Sequence, residues 1–171
     1  MANSSSARAL IELLHGRGAH TDPVACLDGV TLEAASCVPA ASPHSIWQLL
    51  WHLNYWMDYD LRRIRGEGPP YPAHNDESFP ATPAPRDATE WQHEIVRFQR
   101  LLAEYATLAG SGRGVLEREV PPTHPSHAQR ASSVESMLWQ IIAHNSYHAG
   151  QIALLRRLLG IWPPPGGGDT W

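Results

Sequence analysis

Apolar positions recur with helical spacing in four segments, and glycine and proline separate those segments. The first predicted helix runs from about Ser5 to His15, capped by a serine among Ser4, Ser5 and Ser6 and stopped by Gly16 and Gly18. The second opens at Ser42-Pro43, a cap followed by proline in the first helical position. It carries Ile46, Leu49, Leu50, Leu53, Met57, Leu61 and Ile64 as one stripe, and Gly66 and Gly68 end it. The third spans about Asp87 to Ala109, with Trp91, Ile95, Phe98, Leu102 and Tyr105 on one face and Gly110 and Gly112 beyond. The fourth starts at a Ser132 or Ser133 cap, has Glu135 in its first turn, and reaches about Leu159, with Gly160 just past its end.

The connections differ in kind. Thr21 to Ala41 is weakly patterned, with one short helix near Leu32 to Cys37. Pro69 to Pro85 holds six prolines and can be neither helix nor central strand. Its length suits a crossover between helices that are not hairpin partners. Gly114 to Arg130 reads as a polar loop, and residues 162–171, WPPPGGGDTW, as a proline- and glycine-rich tail. No repeat and no alternating strand pattern appears. The pattern predicts an all-α chain: a single four-helix-bundle domain over 1–171, with a long proline-rich crossover between helices two and three.

Charge and composition narrow the function. The net charge of -4 argues against a nucleic-acid or anionic-membrane partner. All 13 basic residues are arginine, so chemistry that needs a lysine, such as a Schiff base or a Walker lysine, is excluded. Two cysteines, Cys26 and Cys37, are too few for a disulfide framework and read as small core residues. There is no apolar run of the ~18 residues a membrane span needs, and MANSSSARAL lacks the apolar region of a secretion signal. A cytoplasmic location is the expectation. Ten histidines and seven tryptophans stand out.

The fourth helix holds the chemistry. Its core stripe is Val134, Met137, Leu138, Ile141, Ile152, Leu155 and Leu159, and His148 and Asn145 fall within it. His144 lies on the flank, roughly 40° from His148 by helix geometry. Two imidazoles one turn apart on one inward surface can chelate a metal ion. A lone inward histidine is usually a satisfied core residue. Three polar side chains buried within five residues would instead cost about 1–3 kcal/mol each if unpartnered. The spacing is that of HExxH, but Asn145 replaces the glutamate, so the general base of a zinc metalloprotease is missing.

For a third ligand the helical candidates are His15, His44, His52 and His93. His93 sits opposite its helix's apolar stripe, His15 ends a short helix, and His44 lies in a first turn. His52 stands roughly 120° from the stripe centre, so periodicity alone does not turn it inward. Its segment is apolar on all sides, which makes it the best placed of the four.

HNSYHAGQIALLRRLLGIWPPP resembles the last helix of the DinB/YfiT-like superfamily, with His144, His148, Gly150 and Gln151 matching an H-x3-H-x-G-Q signature. SIWQLLWHLNYW resembles that family's second helix, whose histidine corresponds to His52. The resemblance implies an up-down-down-up four-helix bundle in which His52, His144 and His148 hold a divalent metal ion, zinc or nickel, with water completing its shell. It also implies two kinds of activity. Some relatives are transferases or isomerases that use a low-molecular-weight thiol cosubstrate, and many have no assigned reaction.

Three neutral imidazoles leave a metal with open positions, the arrangement of catalytic zinc. The expected function is therefore metal-dependent chemistry on a small-molecule substrate. It is either a low-molecular-weight-thiol S-transferase acting on electrophiles or a small hydrolase. The competing class is a non-catalytic metal- or small-molecule-binding stress-response protein. Gln151 is a candidate for orienting water or substrate, and Asn145 for fixing a ligand tautomer. Metal binding is expected to weaken as pH falls toward ~6, because the ligands must be neutral. Asp58 and Asp60 read as surface charges balancing Arg62 and Arg63. Arg156 and Arg157 are accounted for by the helix dipole. Finally, Trp47, Trp51, Tyr55 and Tyr59 form a ridge roughly 150° from the apolar stripe of helix two. Either the long connections cover it or it anchors a homodimer; the homodimer is the expectation.

Overall fold

The computed structural model describes residues 4–40, 42–123 and 132–168. Among them lie six α-helices: α1 (Ser4–Leu14), α2 (Leu32–Ser36), α3 (Ile46–Ile64), α4 (Ala88–Ala109), α5 (Arg113–Leu116) and α6 (Val134–Leu158). Two 3-10 turns, Ala25–Leu27 and Asn75–Ser78, lie in the connections. Strands β1 (Glu119–Val120) and β2 (Ser132–Ser133) pair antiparallel, with Glu119 opposite Ser133.

The four long helices are the four that the apolar stripes predict, and they form a four-helix bundle. α3 packs against both α4 and α6, and α1 closes the far side against the same two helices. Helix directions follow from the contacts. Trp47 meets Trp91, Asn54 meets Glu94 and Arg65 meets Glu104, so α3 and α4 run parallel. His52 meets His148, while Met57 meets Asn145, so α3 and α6 run antiparallel. Parallel neighbours cannot share a tight turn. The chain must return over about 28 Å, the length of a 19-residue helix at 1.5 Å per residue. The proline-rich crossover makes that return.

Every member of the α3 stripe is buried, and so are Trp47, His52, Asn54, Tyr59 and Asp60 on its other sides. The helix starts later than Ser42-Pro43 suggests. Ser42 spends its hydroxyl on a local turn with His44. Ser45 is the cap instead: its Oγ accepts from Gln48 N, and Gln48 Oε1 accepts from Ser45 N, 3.1 Å each. Ser45 Oγ also donates to Pro83 O at 2.6 Å, which ties the crossover to the start of α3. The segment expected to be a polar loop contains most of α5 and all of β1, while residues 124–130 of it lie outside the described residues. Two-residue strands are too short to show alternation. Ser133 caps α6 through Ser136 N.

Two surface assignments change. Arg156 is not merely a charge near a helix end: it is 2% exposed. Its Nη1 donates to Cys26 O (3.0 Å) and Asp28 O (2.7 Å), and its Nη2 to Ile161 O (3.0 Å). One guanidinium thus fastens the turn after α1, the end of α6 and the chain beyond it. Cys26 is buried, and burial pushes its thiol up to about 11, so it is an inert core residue. Cys37 is exposed rather than in the core.

The aromatic ridge does not form one open patch. Trp47 is buried against Trp91, and Tyr59 against Tyr71 of the crossover. Trp51 and Tyr55 stack on each other, half-buried, with centroids 5.6 Å apart. No described helix is long and apolar enough to cross a membrane.

Candidate metal centre

α3 presents His52 toward α6, which presents His144 and His148 one turn apart. The imidazole centroids are 5.1 Å (His52–His144), 4.8 Å (His52–His148) and 4.6 Å (His144–His148) apart. One ring nitrogen of each lies within 4.8 Å of the others, and His52 Nε2 is 3.2 Å from His144 Nε2. His52 turns inward despite its angle because α3 is covered on several sides and has more than one interior face. The other helical candidates stay apart. His15 pairs with Asp22 (2.9 Å), and His93 is exposed beside Glu94. His44 stacks on Phe79 just before α3.

Two outer partners orient the rings. Ser78 donates its hydroxyl to Asn75 O (2.6 Å), so its Oγ can only accept from His52 Nδ1, 2.9 Å away. His148 Nδ1 lies 2.6 Å from Gln151 Oε1, which accepts its proton. Both rings therefore carry hydrogen on Nδ1 and aim the Nε2 lone pair inward. Phe79 stacks flat on His52 at 4.0 Å and holds the plane of that ring. Asn145, 1% exposed, donates to Met57 Sδ at 3.4 Å and lies next to His144, whose pKa its side chain raises against the effect of burial.

The donor set fits a cation. Inward lone pairs on clustered nitrogens repel one another and attract a positive ion. A tetrahedral zinc ion with Zn–N of about 2.0–2.1 Å needs nitrogens about 3.4 Å apart, close to the 3.2 Å between the Nε2 atoms of His52 and His144. Burial, reinforced by the neighbouring imidazoles, holds His52 down to about 3 and His144 to about 4, and burial also lowers His148. The rings are thus neutral and ready to ligate at pH 7.

These directions carry a stability consequence. Burial disfavours the protonated ring, so the unfolded chain, with histidine near about 6.5, takes up protons before the folded one does. Stability of the metal-free protein is complete above that value and falls as pH drops toward 4. The expected slope is about 1.4 kcal/mol per pH unit for each such histidine. Urea midpoints of the metal-free protein at about pH 7, 6 and 5 check it. Metal binding is likewise expected to persist below the pH 6 anticipated from ordinary histidines. Gln151→Leu removes the acceptor on His148 and is expected to weaken metal binding about 10–100-fold in chelator competition, whereas Gln151→Glu retains it.

A cleft of about 290 Å³ opens beside the triad, with His144 at one end and Asp60 and Arg63 farther along. Asp60 is not a surface charge. It is 4% exposed and accepts from Arg63 at 3.0 Å, and burial raises its carboxyl to about 6 against the pull of Arg63. Asp58 does lie nearer the surface, 3.8 Å from Arg97. Ser78 and Phe79 carried no sequence signal, since they reach His52 from an irregular segment 26 residues away.

No curated protein matches the chain significantly. The solved structure of YfiT from Bacillus subtilis, described as a probable metal-dependent hydrolase with an unusual four-helix bundle topology, is similar in fold. It aligns with a TM-score of 0.64 and 17% sequence identity over 94% of this chain and 91% of its own. A family model for the DinB superfamily matches residues 19–152, which include His52, His144, His148 and Gln151, so the chain belongs to the DinB superfamily.

Proposed function

We propose that this protein is a metal-dependent hydrolase of small molecules, with His52, His144 and His148 holding one divalent ion, zinc or nickel. The observation that carries the reading is the convergence of three neutral imidazoles, one of which, His144, lines an open cleft, without a fourth ligand in the cluster among the described residues. Structural zinc sites are closed by four protein ligands, whereas three leave room for water and substrate. When bound, such an ion acts as a Lewis acid and lowers the pKa of a bound water to about 7. The chain's own part is positional. Ser78 and Gln151 set the ring tautomers, Phe79 fixes the His52 plane and shields it, and burial keeps all three rings unprotonated. The description of YfiT as a probable metal-dependent hydrolase supports the same class.

The same open position would accept a thiolate, since sulfur is a good zinc ligand. That gives the second reading, a low-molecular-weight-thiol S-transferase. The metal-loaded protein separates the two when offered small esters and amides in ¹⁸O-labelled water, and model electrophiles with mycothiol, bacillithiol or glutathione. Label in the product supports hydrolysis. Thiol-dependent consumption of the electrophile supports transfer. No turnover by fully loaded protein would leave a binding protein and overturn both.

For assembly, a homodimer rests on the half-exposed Trp51–Tyr55 stack, since the ends of the ridge are buried. Light scattering at high micromolar concentration is expected to read twice the chain mass, and Trp51→Glu to halve it. A wild-type monomer would contradict the dimer.

A further inference from the structure

We infer that the cleft beside the triad is an amine-recognition pocket: it takes small substrates that carry a protonated amine, seated on Asp60, with the reacting group held toward His144. The inference rests on the proposed hydrolase reading for the second half of that statement only.

The charged end of the cleft is asymmetric. Arg63 directs Nη1 to Asp60 (3.0 Å) and Nη2 to Pro121 O (3.3 Å), while its Nε is buried without a partner. With both Nη groups turned to protein acceptors and Nε shut off from solvent, the guanidinium is committed to the wall of the cleft. Asp60 is different. Arg63 engages only its Oδ1, and no described residue bonds the other oxygen, although the side chain is buried to more than nine-tenths. An acceptor on a buried carboxylate that faces a cleft is a strong site for a charged donor.

The walls agree with this. Tyr59 meets Trp56 and Tyr71 edge to face, Trp56 and Tyr71 are tilted at 49°, the centroids are 5.3–6.0 Å apart, and all three line the cleft. The Tyr59 hydroxyl is bonded to Thr123 and the Arg63 guanidinium lies 5.9 Å from its ring centroid, so the aromatic contact left for a ligand comes from Trp56 and Tyr71. Aromatic faces next to a carboxylate stabilise an ammonium by cation–π attraction as well as by ion pairing. An anionic ligand would meet the Asp60 carboxylate and a guanidinium whose Nη groups already face protein acceptors. A neutral ligand would gain the aromatic contact without the charged hydrogen bond.

Calorimetric titration of the zinc-loaded full-length protein with benzylamine, benzyl alcohol and benzoate tests the pocket with one ring and three head groups. Benzylamine is expected to bind about tenfold or more tighter than benzyl alcohol, and benzoate not measurably. Asp60→Asn is expected to bring benzylamine to within about twofold of benzyl alcohol. Should that variant fail to fold, the wild-type series still decides. Benzoate as the tightest ligand, or amine and alcohol binding alike, would overturn the proposal. The titrations are repeated on chelated protein. A preference that survives metal removal supports the pocket even if no hydrolysis is ever found. A preference lost with the metal places the amine on the ion and overturns it.

Discussion

His148→Ala is expected to empty the metal centre. Elemental analysis of the purified variant should fall from about one divalent ion per chain to near zero, and any metal-dependent activity should fall with it. His148 is 7% exposed and its ring is held by Gln151. His93→Ala is the control. That ring is exposed beside Glu94, away from the triad, and its loss should leave the metal content unchanged. Full metal retention in His148→Ala would remove the ligand assignment. Chelation of the wild-type protein tests a related point. The four helices bury their own apolar stripes, so helicity by circular dichroism should survive while activity is lost. Unfolding on chelation would instead mark a structural site.

Arg156→Met is expected to be the most destabilising single change away from the metal centre. The guanidinium satisfies the carbonyls of Cys26, Asp28 and Ile161. Methionine fills part of the volume but leaves three acceptors without donors. At about 1 kcal/mol or more for each orphaned group, the loss is about 3–5 kcal/mol. That corresponds to a fall of about 10 °C or more in Tm for a chain of this size. Urea unfolding at neutral pH measures it, and a loss under about 1 kcal/mol would mean that the clamp is dispensable.

The bundle was legible because its signal is repetitive. The stripe residues of α3 and nearly all those of α4 and α6 are buried as periodicity requires, and one side of each helix carries most of the information. The His144–His148 pair was legible for the same reason: polar residues interrupt a stripe where leucine belongs. His52 was harder, because α3 is enclosed by α4, α6 and the crossover and has no single inward direction. Its assignment came from the family resemblance rather than from geometry. Ser78 and Phe79 left no trace, since an irregular proline-rich segment has no period to read, and their role exists only where the crossover meets His52. Asp60 and Arg156 were misplaced by a rule that holds on average, that charged side chains face water. Each is buried because a long-range or helical partner compensates it, Arg63 in one case and three carbonyls in the other. Such pairing is invisible without the fold. Gln151 lay between these cases: its position three residues after His148 puts it within reach of that ring, and the structure assigns it to the ring's outer nitrogen.

Diffraction at the zinc absorption edge from crystals grown with zinc tests the central claim most directly. One anomalous peak is expected per chain, about 2.0–2.1 Å from the Nε2 atoms of His52, His144 and His148, with its remaining coordination open to the cleft. A peak elsewhere, or a fourth protein side chain closing the shell, would contradict an open three-histidine centre.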